Sequence, residues 1–165
     1  MENEEKYIRE KVGQKNPFTE LDIYAMGDPT PYVKMIDELS IDQKRCHLNS
    51  SLVDVEQEYL QSSILAQPSR TEGFGLVIVE AMACGLPVVS FDCENGPRTI
   101  ISDGEDGYLV PAFDVAQFAN SLLTLINDEK LRRQMGENGR VKVDRYQIDK
   151  VALKWKNLFD EMMKE

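Results

Sequence analysis

Histidine, cysteine and long apolar runs are all scarce in this sequence. His47 is the only histidine, which excludes most hydrolytic triads and most metal sites built on imidazole. The cysteines Cys46, Cys84 and Cys93 show no CxxC spacing, so neither a zinc site nor a redox pair is predicted. No apolar run approaches the ~20 residues of a membrane-spanning helix. The acidic start MENEEK leads into no apolar segment, so we expect no signal peptide and a cytoplasmic protein with reduced thiols.

Positive charge is also in short supply. The chain has 19 Lys and Arg against 29 Asp and Glu, a net charge of −10. Nucleic acid is therefore not an expected partner, because binding it depends on neutralising phosphates. A phosphorylated small molecule can still bind where one local site is electropositive. With 165 residues and 42% apolar residues, the chain is long enough for one domain with its own core.

Short apolar segments alternate with segments of helical periodicity. Strands are predicted at 21–26, 46–48, 64–67, 87–91 and 108–110, and helices at 31–39, 54–61, 76–84, 98–102, 115–126, 129–144 and 148–164. This alternation predicts an α/β, Rossmann-like three-layer domain with a mostly parallel sheet covered on both faces. We expect one domain over residues 1–165, with a C-terminal helix in residues 145–165. Ligands of such sheets bind beyond the carboxyl ends of the strands, and the segment after Gln67 lies at one of those ends.

The stretch EGFGLVIVE, residues 72–80, contains the candidate site. Gly73 and Gly75 predict a tight turn into a helix that is apolar on nearly all sides, so most of that helix is expected to be buried. Amides at the start of a helix lack intrahelical partners, and the helix dipole adds positive charge, so this turn can bind a phosphate.

Two carboxylates bracket this turn. Glu72 precedes it, and Glu80 lies about one turn inside the helix, so they can flank a diphosphate and accept hydrogen bonds from hydroxyls on either side. A nucleoside diphosphate sugar has that layout. The alternative interpretation is that Glu72 is a solvated turn residue and Glu80 an ordinary surface carboxylate.

The residues PSRTEGFGLVIVEAMACGLPVV, 68–89, closely resemble the retaining glycosyltransferases of family GT4, which have the GT-B fold of two Rossmann-like domains. The signature of that family is two glutamates with seven residues between them. The segments 21–28 and 103–111 are similar to the same family in the right order, so the resemblance covers about residues 17–145.

The resemblance implies a role for each matching residue. Glu72 matches the glutamate that contacts the donor's sugar, which makes it the candidate catalytic residue, and Glu80 matches the glutamate that holds the ribose hydroxyls. The remaining candidates would meet the donor through their backbone or lie in the crevice; they are Phe74, Gly75 and Leu76 near the diphosphate, Ser51 and Leu52 near the base, and Gly27. A plain surface loop at 51–52 and a simple turn at Gly27 are the alternatives.

The sequence also departs from that family. The family's domain opens with a strand and a loop carrying an arginine and a lysine for the diphosphate, whereas residues 1–20 match only the helix after that strand. Lys11 and Lys15 are not placed to replace the pair. We therefore expect the C-terminal, donor-binding half of a GT-B enzyme, lacking its first strand and its N-terminal GT-B domain, and inactive by itself.

Two further features, the segment after the strand at 87–91 and an apolar stripe near the C-terminus, each have a structural and a functional interpretation. Asn95, Gly96 and Arg98 follow a predicted strand and can touch the donor, although a turn and helix start is the favoured explanation. Near the C-terminus, four apolar residues recur at helical spacing and predict a packing stripe rather than a cofactor site: Trp155, Leu158, Phe159 and Met162. In GT-B enzymes the last helix often crosses to the other domain, so the resemblance implies an exposed stripe where that domain is missing.

The resemblance implies transfer of a hexose from a UDP-sugar, or less favourably a GDP-sugar, to a glycan or lipid-linked acceptor in cell-surface polysaccharide synthesis. No cofactor and no metal are expected, and contact with the inner face of the membrane would come through the missing domain. The alternative is a non-catalytic Rossmann-like module that binds a nucleotide or a protein partner. The sequence leaves the sugar, the acceptor and the linkage open.

Overall fold

The computed structural model describes residues 19–25, 27–50 and 54–164. The described residues form strands β1 (Leu21–Ala25), β2 (Cys46–Ser50), β3 (Leu65–Gln67), β4 (Val88–Asp92) and β5 (Gly107–Pro111). The helices are α1 (Thr30–Glu38), α2 (Glu56–Gln61), α3 (Leu76–Ala83), α4 (Pro97–Ile100), α5 (Val115–Asn127), α6 (Glu129–Val143) and α7 (Ile148–Met162). A 3-10 turn at Asp144–Tyr146 joins α6 to α7. The α/β alternation predicted from the sequence is confirmed.

In the described residues all strand pairs are parallel, and the strands form two sheets. β1 pairs with β2, with Leu21 opposite Cys46. β4 lies between β3 and β5, with Val88 opposite both Leu65 and Gly107. The single sheet expected from the sequence is thus divided in the described part of the chain, since no hydrogen-bond ladder joins β1 to β3 there.

The core lies on both faces of β4. Side chains alternate along a strand, so Val88 and Val89 point to opposite faces. Val88 packs in a cluster with Ile78 and Met82 of α3. Val89 packs in a second cluster with residues of α5 and α6, among them Leu125 and Met135. This arrangement gives the three layers predicted, with helices on each side of the three-stranded sheet.

Helix α3 is less buried than its sequence indicated. Ile78, Ala81 and Met82 are buried, but Leu76 is 64% exposed and Val77 is 39% exposed. The expectation that most of this helix is buried is therefore wrong. Only one face of α3 packs against the rest of the domain, and Leu76 and Val77 of its first turn are exposed.

Helix α6 packs closely on the C-terminal end of α3. A Cβ atom at Gly136 would lie 1.9 Å from the carbonyl oxygen of Gly85, and one at Gly139 would lie 3.0 Å from Cε of Met82. Gly85 itself has φ +82°, the left-handed conformation that stops a helix. The helix predicted at 76–84 therefore ends just before Gly85, and the two glycines of α6 allow α6 to contact Gly85 and Met82.

An ion pair with a buried carboxylate fixes α6 to the loop before β5. Nζ of Lys142 lies 2.7 Å from Oδ2 of Asp106, which is 2% exposed, and donates a second hydrogen bond to Oγ of Ser102. Oδ1 of the same carboxylate accepts the Ser102 amide at 2.8 Å. Each polar group of this cluster therefore has a partner.

The apolar stripe of α7 is exposed. Trp155 is 56%, Leu158 45%, Phe159 57% and Met162 65% exposed. The stripe does not pack on the described domain, and the exposure implied by the resemblance is seen. Among the described residues, no helix is long and apolar enough to cross a membrane.

Candidate functional site

The loops that follow β3 and β4 meet at the carboxyl edge of the three-stranded sheet. The first, residues 68–75, contains Glu72 and is called the site loop below; the second is residues 93–96. A Cβ atom at Gly96 would lie 2.6 Å from the carbonyl oxygen of Phe74 and 3.2 Å from Cβ of Glu72. Because β3 and β4 are adjacent and parallel, their carboxyl ends bring these two loops into contact.

The site loop delivers the chain into α3 through a left-handed glycine. Gly75 has φ +93° and ψ +51°, and its carbonyl accepts hydrogen bonds from the amides of Ile78 and Val79. In the described part of the chain, the backbone amides of residues 74–77 have no acceptor. Unpaired amides at the positive end of a helix dipole are suited to an anion. These residues include Phe74, Gly75 and Leu76, the three named from the sequence.

The Glu72 carboxylate is partly buried and has a partner on β3. Nε2 of Gln67, the last residue of that strand, donates to Oε1 of Glu72 at 2.6 Å and to Oγ of Ser69 at 2.8 Å. Within the described ranges, no donor reaches Oε2 of Glu72. One carboxylate oxygen is therefore held by the strand, and the other is available to a ligand hydroxyl.

Glu80 is exposed on α3 and has a tyrosine beside it. The hydroxyl of Tyr59, on α2, donates to Oε2 of Glu80 at 3.3 Å. Burial, together with the negative charge and hydrogen bond of Glu80, raises the pKa of Tyr59 to about 12. The tyrosine therefore stays protonated at neutral pH, so it donates to this carboxylate and does not repel it.

The remaining predicted residues fall elsewhere or outside the described ranges. Gly27 follows β1, at the carboxyl edge of the two-stranded sheet, with φ +105° and nothing within 4 Å of a Cβ position. It is needed there for its backbone conformation rather than for space. Ser51 and Leu52 lie outside the described residues.

The loop after β4 brings Gly96 and Asn95 to the site edge. Asn95 has φ +68°, a conformation that Asn tolerates better than most residues. Nε of Arg98, in α4, lies 3.0 Å from Oδ1 of Asp92 at the end of β4, so this guanidinium is paired across the loop and not turned toward the site. The structure thus favours the turn interpretation for Arg98, while Gly96 contacts the site loop directly.

Sequence reasoning missed the neighbours of the site. Phe74 makes an edge-to-face contact with Tyr146, with ring centroids 5.4 Å apart, which ties the site loop to the 3-10 turn after α6. The guanidinium of Arg70 lies 5.8 Å from the ring centroid of Phe113, in the loop after β5. No local pattern could have indicated these contacts or the role of Gln67, because each depends on how the loops are brought together.

A cleft elsewhere in the molecule does not coincide with the carboxyl edge of the three-stranded sheet. A cleft of about 720 Å³ lies beside the loop before β5 and is lined by Ser102, Asp106, Asn138 and Lys142 among others. Asp106 and Lys142 are paired with each other, and the cleft adjoins the amino end of β5, away from Glu72. Among the described residues, no group of three or more His, Cys, Asp or Glu side chains is arranged to hold a metal ion.

The chain matches a family over most of its length. The family of "Glycosyl transferases group 1" matches residues 14–142. The poly(ribitol-phosphate) alpha-N-acetylglucosaminyltransferase of Staphylococcus aureus is 28% identical over 155 residues, which cover 93% of this chain and 31% of the relative. The chain spans less than half the length of the curated relatives it matches. For example, the match covers 42% of an uncharacterized glycosyltransferase of Haemophilus influenzae.

Solved structures show the same fold. A mutant of S. aureus TarM, in complex with fondaparinux, alpha-GlcNAc-glycerol and UDP, is 28% identical with a TM-score of 0.82, over 95% of this chain and 32% of that one. The C-terminal domain of LpcC, a glycosyl transferase group 1 family protein of Francisella tularensis, is 28% identical with a TM-score of 0.74, over 88% and 80% of the two chains. The chain therefore belongs to the group 1 glycosyl transferases and has the Rossmann-like fold of GT-B enzymes.

Proposed function

We propose that this chain is the nucleotide-sugar-binding domain of a retaining, GT4-like glycosyltransferase. The observation that carries the proposal is the arrangement at the start of α3: unpaired amides at residues 74–77, with Glu72 before them and Glu80 within the helix. An anionic diphosphate and the two sugar diols beside it complement these groups. The resemblance of residues 68–89 to the family signature supports the assignment of roles.

In this proposal each group meets a different part of the donor. The amides of the α3 N-terminus bind the diphosphate, Glu80 accepts hydrogen bonds from the ribose, and Glu72 accepts from the transferred sugar. Transfer breaks the bond between the anomeric carbon and the diphosphate oxygen, so negative charge develops on the leaving group. The amides and the helix dipole stabilise that charge where it forms.

The donor and acceptor are proposed by class. UDP is preferred over GDP because the TarM structure similar to this chain was solved with UDP. A glycan or another cell-surface polymer is the proposed acceptor class, supported by the S. aureus relative, which is named for poly(ribitol-phosphate). The acceptor-binding part of the enzyme would be a second GT-B domain, and no metal or other cofactor is required.

Saturation-transfer NMR with a panel of UDP- and GDP-sugars tests the donor assignment. The proposal predicts transfer to both the ribose and hexose protons of a UDP-hexose, with a weaker signal for the GDP analogue. Binding of UDP with no contribution from the sugar would favour a nucleotide-binding module instead. Absence of binding by every nucleotide sugar would contradict the proposed function.

A further inference from the structure

We propose that Gln67 is a positioning residue that orients the Glu72 carboxylate toward the sugar of the donor. The inference rests on the proposed role of Glu72 and adds a residue that acts only through it. Gln67 lies at the end of β3, where the strand gives way to the site loop.

The backbone of Gln67 is fixed by the sheet. Gln67 is opposite Ser90 in the parallel ladder between β3 and β4, and Ser90 is buried in the centre of the domain. Glu72, by contrast, belongs to a loop and is only partly buried. A carboxylate on a loop is held precisely only when a residue of a rigid element restrains it, and Gln67 provides that restraint.

The hydrogen bonds of Gln67 use its whole donor capacity. The side-chain amide group has two hydrogens, and they serve Oε1 of Glu72 at 2.6 Å and Oγ of Ser69 at 2.8 Å. An ionised carboxylate can only accept hydrogen bonds, so the amide must turn its nitrogen toward Glu72. The orientation of Gln67 is therefore fixed by chemistry, and with it the position of Oε1.

The other side of Glu72 is restrained by the loop after β4. A Cβ atom at Gly96 would lie 3.2 Å from Cβ of Glu72, so the Gly96 backbone closes that side. With Oε1 bound to Gln67 and the stem of the side chain against Gly96, Oε2 is the oxygen that remains for a hydroxyl of the sugar. Gln67 thereby selects which carboxylate oxygen faces the donor.

The test is a double-mutant cycle on ligand affinity. Gln67→Met keeps the length of the side chain and removes the amide that donates the hydrogen bond. Glu72→Ala removes the carboxylate that accepts it. Calorimetric titration with UDP-glucose and with UDP is carried out on the wild type, both single variants and the double variant. Gln43→Met is the matched control, because Gln43 makes the same kind of amide–carboxylate bond, at 2.5 Å to Asp37, far along the chain from the site.

The expected result is a sugar-specific and non-additive loss. Gln67→Met should weaken UDP-glucose about three- to tenfold, the range of one hydrogen bond, and leave UDP affinity and thermal stability unchanged. In the Glu72→Ala variant, adding Gln67→Met should not weaken UDP-glucose any further. Gln43→Met should alter neither affinity.

The outcomes separate the inference from the function on which it rests. If Glu72→Ala weakens UDP-glucose but Gln67→Met has no effect, or has an additive one, the positioning role is overturned while the proposed function stands. Equal losses for UDP and UDP-glucose in Gln67→Met also overturn it, because they indicate a general structural effect. If Glu72→Ala does not affect UDP-glucose, the proposed role of Glu72 fails and the inference fails with it.

Discussion

The backbone of Gly96 lies so close to Phe74 that any side chain would collide with it: a Cβ atom would be 2.6 Å from the Phe74 carbonyl oxygen. We predict that Gly96→Ala destabilises the domain by about 1–3 kcal/mol, from steric overlap and from the strained φ of +35°. Donor affinity should fall as well, because the site loop must shift. Thermal unfolding and titration with UDP-glucose measure the two effects.

Gly73→Ala is the control for this prediction. Gly73 belongs to the same site loop, but nothing lies within 4 Å of its Cβ position. Its replacement should change stability by less than about 0.5 kcal/mol, as an ordinary surface change does. Equal destabilisation by both variants would show that the Gly96–Phe74 contact is not what the loop needs.

The contact between α6 and the end of α3 makes a second prediction. Gly136→Ala should destabilise the domain strongly, by about 3 kcal/mol or more, because its Cβ would lie 1.9 Å from the backbone oxygen of Gly85. Gly139→Ala should destabilise the domain less, since its Cβ would lie 3.0 Å from Cε at the flexible end of the Met82 side chain. Urea unfolding of both variants gives the comparison, and an equal cost would contradict the close packing of these helices.

The contact between Tyr59 and Glu80 predicts that Tyr59 loses its proton at a higher pH than an ordinary tyrosine. The folded-state pKa of Tyr59, about 12, is above its ordinary value of 10.0, so its contribution to stability is present below pH 10 and is lost as pH rises toward 12. Glu80→Gln should lower the pKa of Tyr59 only part of the way, because burial is the largest cause and remains. NMR titration of ring-labelled tyrosine measures this, and an unchanged pKa would mean that the two side chains do not interact.

Donor binding is predicted to be independent of divalent metal. The two glutamates accept hydrogen bonds from hydroxyls in the proposed site, and the start of α3 supplies the positive potential for the diphosphate. Titration of UDP-glucose with excess chelator should therefore give the same affinity as titration with magnesium or manganese. Loss of binding in chelator, restored by either ion, would mean that the carboxylates hold a metal.

Local chemistry made most of the fold predictable. The short apolar segment at 87–91 predicted β4, the helix predicted at 76–84 ends just before the positive-φ Gly85, and the helix predicted at 115–126 begins where Asp114 accepts the Gln117 amide at 2.9 Å. Each of these signals lies within a few residues of the element it specifies. The site turn at Gly75 was predictable for the same reason.

What the sequence did not predict depends on contacts between distant segments. The bond from Gln67 to Glu72 and the approach of Gly96 to Phe74 require the path of two loops after adjacent strands, which no periodicity encodes. The exposure of Leu76 was missed because an apolar sequence does not tell which residues of a helix the rest of the domain covers. The division of the strands into two sheets likewise depends on pairing rather than on local pattern.

The central claim, that Glu72 meets the sugar and Glu80 meets the ribose, is tested most directly by calorimetry of Glu72→Gln and Glu80→Gln with UDP and with UDP-glucose. The account predicts that Glu80→Gln weakens both ligands by about ten- to a hundredfold, the value of a charge-assisted hydrogen bond. Glu72→Gln should weaken UDP-glucose and leave UDP nearly unchanged. Equal losses of UDP affinity in both variants, or no loss in either, would contradict it.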